Sequence, residues 1–87
     1  MIIQKEAVCG TLQSNDCLVR IQPAEKLELE LKSSVMNEFG SQIEAAVMEV
    51  LEKFEVKSCK LFLEDKGALD CTIKARVETV LRRANEK

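Results

Sequence analysis

The sequence predicts an α+β fold. Two helices cover one face of a mostly antiparallel four-stranded sheet, as a two-layer sandwich in the order β-β-β-α-β-α. Three observations carry this expectation. Apolar residues alternate at every second position through residues 7–12, 17–22 and 26–32 and again through 57–64, as half-buried strands require. Through 36–54 and 69–84 they recur at three- and four-residue steps, as amphipathic helices require. The chain has 87 residues, 46% of them hydrophobic, which supports one modest core and therefore a single domain over 1–87.

Residues Ala7–Leu12 and Cys17–Gln22 read as a hairpin around Gln13-Ser14-Asn15-Asp16. With Ser14 and Asn15 as the central turn residues, Leu12 faces Cys17, Gly10 faces Val19 and Val8 faces Ile21, so one face is all apolar or glycine. The other face pairs Thr11 with Leu18, Cys9 with Arg20 and Ala7 with Gln22. A one-residue slip would swap the faces, so this pattern selects the register. Asn15 tolerates a positive φ at the turn. Pro23 cannot donate to a ladder and ends the second strand.

Lys26–Lys32 alternates strictly, with Leu27, Leu29 and Leu31 on one side and charges on the other, and the charged side guards against edge pairing. Ser33 and Ser34 offer helix N-cap oxygens. From Met36 the period changes: Met36, Phe39, Ile43, Ala46, Val47, Val50, Leu51 and Phe54 form one stripe, while Glu38, Glu44, Glu49, Glu52 and Lys53 face water. Gly40 weakens this helix locally by about 1 kcal/mol relative to alanine.

Lys57–Glu64 returns to period 2, and Asp65-Lys66-Gly67 is a turn in which Gly67 supplies a positive φ. The second helix starts at Leu69 or Asp70, where an acidic side chain suits the positive end of the helix dipole. Ile73, Val77, Val80, Leu81 and Ala84 are its apolar stripe. The strand-helix-strand step from Leu31 to Lys57 is right-handed if its strands are parallel neighbours. Strand order does not follow from the pattern.

The composition excludes several functions. Aromatic residues are 3% and the net charge is −2, with a pI near 5.2. That is poor material for base stacking or for binding a phosphate backbone, so no nucleic-acid partner is expected. No apolar run approaches the roughly 20 residues of a membrane span, and the N-terminus lacks a signal peptide's apolar segment, so the expectation is a cytoplasmic protein off the membrane.

The four cysteines, Cys9, Cys17, Cys59 and Cys71, form no CxxC pair, and the chain has no histidine. They read as free, buried or half-buried thiols acting as small hydrophobes, with no metal site. General-base catalysis without histidine would need a perturbed carboxylate, lysine or thiol, and most of the acidic residues lie on solvated faces. Asp65 and Asp70 are explained by a turn and a helix start. Lys74, Arg76, Arg82, Arg83 and Lys87 make the last helix basic, as a solvated face complementing the dipole or as a contact for an anionic partner. Phe62, if no helix covers it, is a candidate docking residue.

Ser14 is thus held in water on a short hairpin with nothing in the chain to activate it. Serine is a common turn residue, and by spacing alone this is a simple turn. It is also a place for another enzyme to attach a group.

Ala7-Val8-Cys9-Gly10-Thr11-Leu12-Gln13-Ser14-Asn15-Asp16, Asn37-Glu38-Phe39-Gly40, Asp65-Lys66-Gly67-Ala68-Leu69-Asp70-Cys71 and Lys74-Ala75-Arg76-Val77-Glu78 together resemble the citrate lyase acyl carrier (gamma subunit) family over essentially the whole chain. That resemblance implies a non-catalytic carrier. Its hairpin serine, here Ser14, holds 2′-(5″-phosphoribosyl)-3′-dephospho-CoA through a phosphodiester.

It also implies a cytoplasmic bacterial protein of citrate fermentation. Its partners are the alpha subunit, which exchanges acetate for citrate on the carrier, and the beta subunit, which cleaves citryl-carrier to oxaloacetate. A prosthetic-group transferase and an acetylating ligase complete the set. The related carrier of malonate decarboxylase is the alternative within the class, and the Asp65–Cys71 run favours citrate lyase. Outside the class stand a cysteine enzyme, which requires a thiol of lowered pKa, and an interaction module with no covalent group.

Overall fold

The computed structural model describes residues 1–33 and 36–86. Its elements run β1 (Ala7–Gly10), β2 (Cys17–Gln22), β3 (Leu27–Ser33), α1 (Met36–Lys53), β4 (Cys59–Asp65) and α2 (Asp70–Asn85), the order the periodicity predicts. Ser34 and Lys87, and the side chains of Met36 and Phe39, lie outside the described residues.

The sheet order is β1-β2-β4-β3. β1/β2 and β2/β4 are antiparallel, while β3 runs parallel to β4, joined to it through α1. The sheet is therefore mixed, with two antiparallel pairs out of three. A strand returning through a helix must re-enter in the same direction, whereas strands joined by a tight turn reverse.

One face of the sheet carries Cys9, Cys17, Val19, Ile21, Cys59, Leu61 and Leu63, all buried. Ile43, Ala46, Val47, Val50 and Leu51 of α1 and Ile73, Val77, Val80, Leu81 and Ala84 of α2 complete the same core. Leu29 and Leu31 of the edge strand β3 are half-buried against it. Ile3, to which the periodicity assigns no role, is also in the core. The segment before β1 is tied down by Gln4 and Lys5, whose backbone N–H groups donate to the Ala84 carbonyl at 2.9 and 3.2 Å. Phe62 points to the helix-free face, half-buried, in a shallow hollow it shares with Val8, Arg20 and Lys60.

The hairpin register departs from expectation by one residue. The ladder pairs Ala7 with Ile21, Val8 with Arg20, Cys9 with Val19 and Gly10 with Leu18. The predicted turn does form, since the Asp16 N–H donates to the Gln13 carbonyl at 3.2 Å and Asn15 has φ +66°. Below it, however, the Thr11 N–H donates to the Cys17 carbonyl at 3.2 Å, which leaves Leu12 extruded and 51% exposed.

One extra residue on one strand reverses the facing of everything beneath it. Cys9 therefore enters the core and Val8 faces away from the helices. Gly10 permits this. Its φ is +98°, and a Cβ placed on it would lie 1.9 Å from the Cys17 carbonyl oxygen.

Candidate attachment site at the hairpin tip

Ser14 is exposed at the tip between β1 and β2. The turn residues around it satisfy one another locally. Thr11 donates its hydroxyl to Asp16 Oδ2 at 2.6 Å and accepts the Gln13 N–H at 3.3 Å. Asp16 Oδ1 accepts the Cys17 N–H at 2.7 Å. Among the described residues no hydrogen bond engages the Ser14 hydroxyl.

The tip is also joined to distant parts of the fold. The Asn15 N–H donates to the Lys66 carbonyl at 2.8 Å, and the Lys66 N–H donates to the Asp16 carbonyl at 2.9 Å. These bonds continue the β2/β4 ladder past Cys17 and Asp65 into the two loops. Gly67 makes the turn out of β4 at φ +90°, as its position predicts.

Asp65 closes the same corner. It is 2% exposed, and its carboxylate accepts the Ser33 hydroxyl and the Ala68 N–H, each at 2.8 Å. From α2, Arg76 donates Nε to Asp16 Oδ1 at 3.0 Å and Nη2 to Asp16 Oδ2 at 2.9 Å, a two-pronged pair.

The Arg76 guanidinium, together with the Thr11 hydroxyl, lowers the Asp16 carboxyl from 3.8 to about 2. A folded-state pKa below the unfolded one adds stability that is complete above the unfolded value and lost as pH falls through the folded one. The Asp16 contribution is therefore present above about pH 4 and vanishes towards pH 2. It is about 1 kcal/mol after allowing for the solvent that reaches Arg76. Asp16→Asn should flatten the acid limb of the stability–pH curve in that window, read by urea melts, and an unchanged limb would contradict the pairing.

The exposed Ser14 and the positive φ of Asn15 follow from the local turn sequence, whereas the contacts of Arg76, Lys66 and Thr11 with the tip do not. Asp16 and Arg76 lie 60 residues apart, and no local spacing connects them. The basic residues of α2 have partners within the fold: Lys74 with Glu49, Arg76 with Asp16, Arg82 with Glu78 and with the Phe54 ring, and Arg83 with the Val8 carbonyl.

Cys9, Cys17 and Cys59 are buried as expected, whereas Cys71, in the first turn of α2, is exposed. Cys71 lies two residues before Ile73, about 200° round the helix from it, and so sits opposite the buried stripe of α2. Burial pushes the Cys17 thiol up to about 12 and the Cys59 thiol up to about 11, the direction opposite to an activated thiolate. No described helix is long and apolar enough to cross a membrane.

Comparison with known proteins adds a lineage to this geometry. The family model ACP, "Malonate decarboxylase delta subunit (MdcD)", matches residues 4–84. A chain of a Pseudomonas malonate decarboxylase hetero-tetramer, crystallised in complex with malonate, superposes with a TM-score of 0.84 over 95% of this chain and 87% of its own, at 19% identity. That likeness is one of fold.

The sequence relatives are nearer. A citrate lyase acyl carrier protein of Treponema denticola is 79% identical over the whole of both chains. One from Haemophilus influenzae strain PittEE is 51% identical over all of this chain and 92% of its own. With identity of that order running unbroken from end to end, this chain belongs to the citrate lyase acyl carrier protein family.

Proposed function

We propose that this chain is the acyl carrier subunit of a citrate lyase and that Ser14 is where its prosthetic group is attached. The observation that carries the reading is an exposed serine hydroxyl, free of internal partners, at a tip tied into both β4 and α2 in a member of this family. A phosphodiester needs an accessible hydroxyl with open space around it, and Ser14 meets that demand. The group is 2′-(5″-phosphoribosyl)-3′-dephospho-CoA. When bound, it supplies a thiol that holds acyl groups as thioesters on a long arm.

The chain's own residues present and anchor that arm. The tethered thiol then meets successive active sites at high effective concentration, without diffusing through solution. Cleavage of citrate to acetate and oxaloacetate belongs to the alpha and beta subunits of the complex. Loading belongs to the transferase and the acetylating ligase. The carrier of malonate decarboxylase shares the fold, but the full-length relatives at 79 and 51% identity are citrate lyase carriers, which favours citrate lyase.

The test is an intact mass of the chain purified from its native source, with the modified peptide mapped. The expected result is a coenzyme-A-derived nucleotide adduct on the 7–20 peptide at Ser14. An unmodified chain, or an adduct elsewhere, would overturn the reading.

A further inference from the structure

A loop that offers a hydroxyl to another enzyme loses rate if it must first be ordered. Fixing each free backbone residue costs conformational entropy. In this chain the cost is met in advance by contacts that do not involve Ser14. Asp16 is held by four donors: the Arg76 Nε and the Cys17 N–H on one oxygen, the Arg76 Nη2 and the Thr11 hydroxyl on the other. Its backbone carbonyl takes the Lys66 N–H, and the neighbouring Asn15 N–H reaches the Lys66 carbonyl. The residues on the C-terminal side of Ser14 are thereby fixed to β4 and, through Arg76, to the middle of α2.

We propose that Arg76 and Asp16 are a positioning pair that holds Ser14 in the geometry required for modification of its hydroxyl. The proposal rests on Ser14 being the attachment site. In the attachment step the Ser14 Oγ–P bond forms and the bond from that phosphorus to the leaving phosphate of an activated donor breaks. The hydroxyl proton passes to a base of the transferase, because this chain has no histidine to accept it. Neither Arg76 nor Asp16 touches the reacting atoms. Their part is to keep Oγ near its attack position between encounters, where small misplacements carry large rate costs.

The purified transferase and the activated phosphoribosyl-dephospho-CoA donor provide the assay, with attachment followed by intact mass. The full chains to compare are wild type, Arg76→Ala, Arg76→Lys, Asp16→Asn and Arg82→Ala. Arg76→Ala and Asp16→Asn should each lower kcat for attachment about tenfold, with KM for the carrier within about twofold. Arg76→Lys keeps the charge but not the two-pronged geometry and should recover only part of the loss. Arg82→Ala, which removes an exposed pair on the same helix, should match wild type.

Amide exchange supplies a readout without the transferase. Asn15 and Asp16 should exchange faster in Arg76→Ala while the core of β4 is unchanged. If wild type is modified at Ser14 and both pair variants match it within twofold, or their losses track the fraction unfolded, the positioning role falls alone. If Arg76→Ala does not fold, the isosteric Asp16→Asn decides. If wild type takes no adduct at Ser14, the attachment reading falls and takes the positioning role with it.

Discussion

With the attachment proposed at Ser14, Ser14→Ala will leave the fold standing and remove carrier function entirely. Alanine has no hydroxyl, so no phosphodiester can form, and no other residue on the tip replaces it at the same place. The side chain is exposed and engages no internal partner, so its removal should change unfolding free energy by no more than about 0.5 kcal/mol. Intact mass after incubation with transferase and donor should show wild type fully shifted and the variant unshifted, with superimposable urea melts. Ser14→Thr, which restores a hydroxyl, should regain some adduct. Full loading of the alanine variant would place the attachment elsewhere.

Gly10→Ala should be strongly destabilising. The new Cβ would sit 1.9 Å from the Cys17 carbonyl oxygen, which is backbone and cannot swing aside. The residue's φ of +98° is itself strained for any side chain. Strain of about 1–3 kcal/mol and overpacking of similar size add to about 2–6 kcal/mol. That is a large share of a small domain's stability of about 5–15 kcal/mol.

The hairpin can escape only by moving β1 off β2, which unseats Cys9 and disturbs the tip. The urea midpoint should therefore fall sharply, and the tip should lose amide protection together with its capacity for attachment. A loss under about 1 kcal/mol would mean that the Gly10 geometry is not as described.

The elements themselves were legible because each has a clear period. The strict Leu27-Leu29-Leu31 alternation, the stripe from Ile43 to Leu51 and the stripe from Ile73 to Ala84 all lie where expected. Gly67 and Asn15 adopt the positive φ their turns demand. The register was not legible, because both alternatives give an apolar face. Val8/Ile21 and Cys9/Val19 are equally good on hydrophobicity, and only the extrusion of Leu12 decides between them.

Strand order was hidden for a related reason. β4 inserts between β2 and β3 through contacts far apart in sequence, and no local signal records which edge an incoming strand will take. At the tip, the exposed turn position of Ser14 was legible through its turn chemistry. The residues that hold it, Arg76 above all, become visible only when α2 lies beside the hairpin.

The joining of the tip to β4 and α2 has a mechanical side. An arm rooted in a loose loop would add the loop's wandering to its own, and its far end would sweep a blurred volume whatever the body did. With the root at Ser14, as proposed, and its neighbours Asn15 and Asp16 joined to a central strand and a helix, body and pivot would turn together. The region swept by the far end of the proposed arm would then be set by the arm's length and by the orientation of a body about 34 × 21 × 18 Å across. A partner that docks the body in a new orientation re-aims the arm at once. Delivery to one active site or another can thus be chosen by how the carrier sits, with no change in its shape.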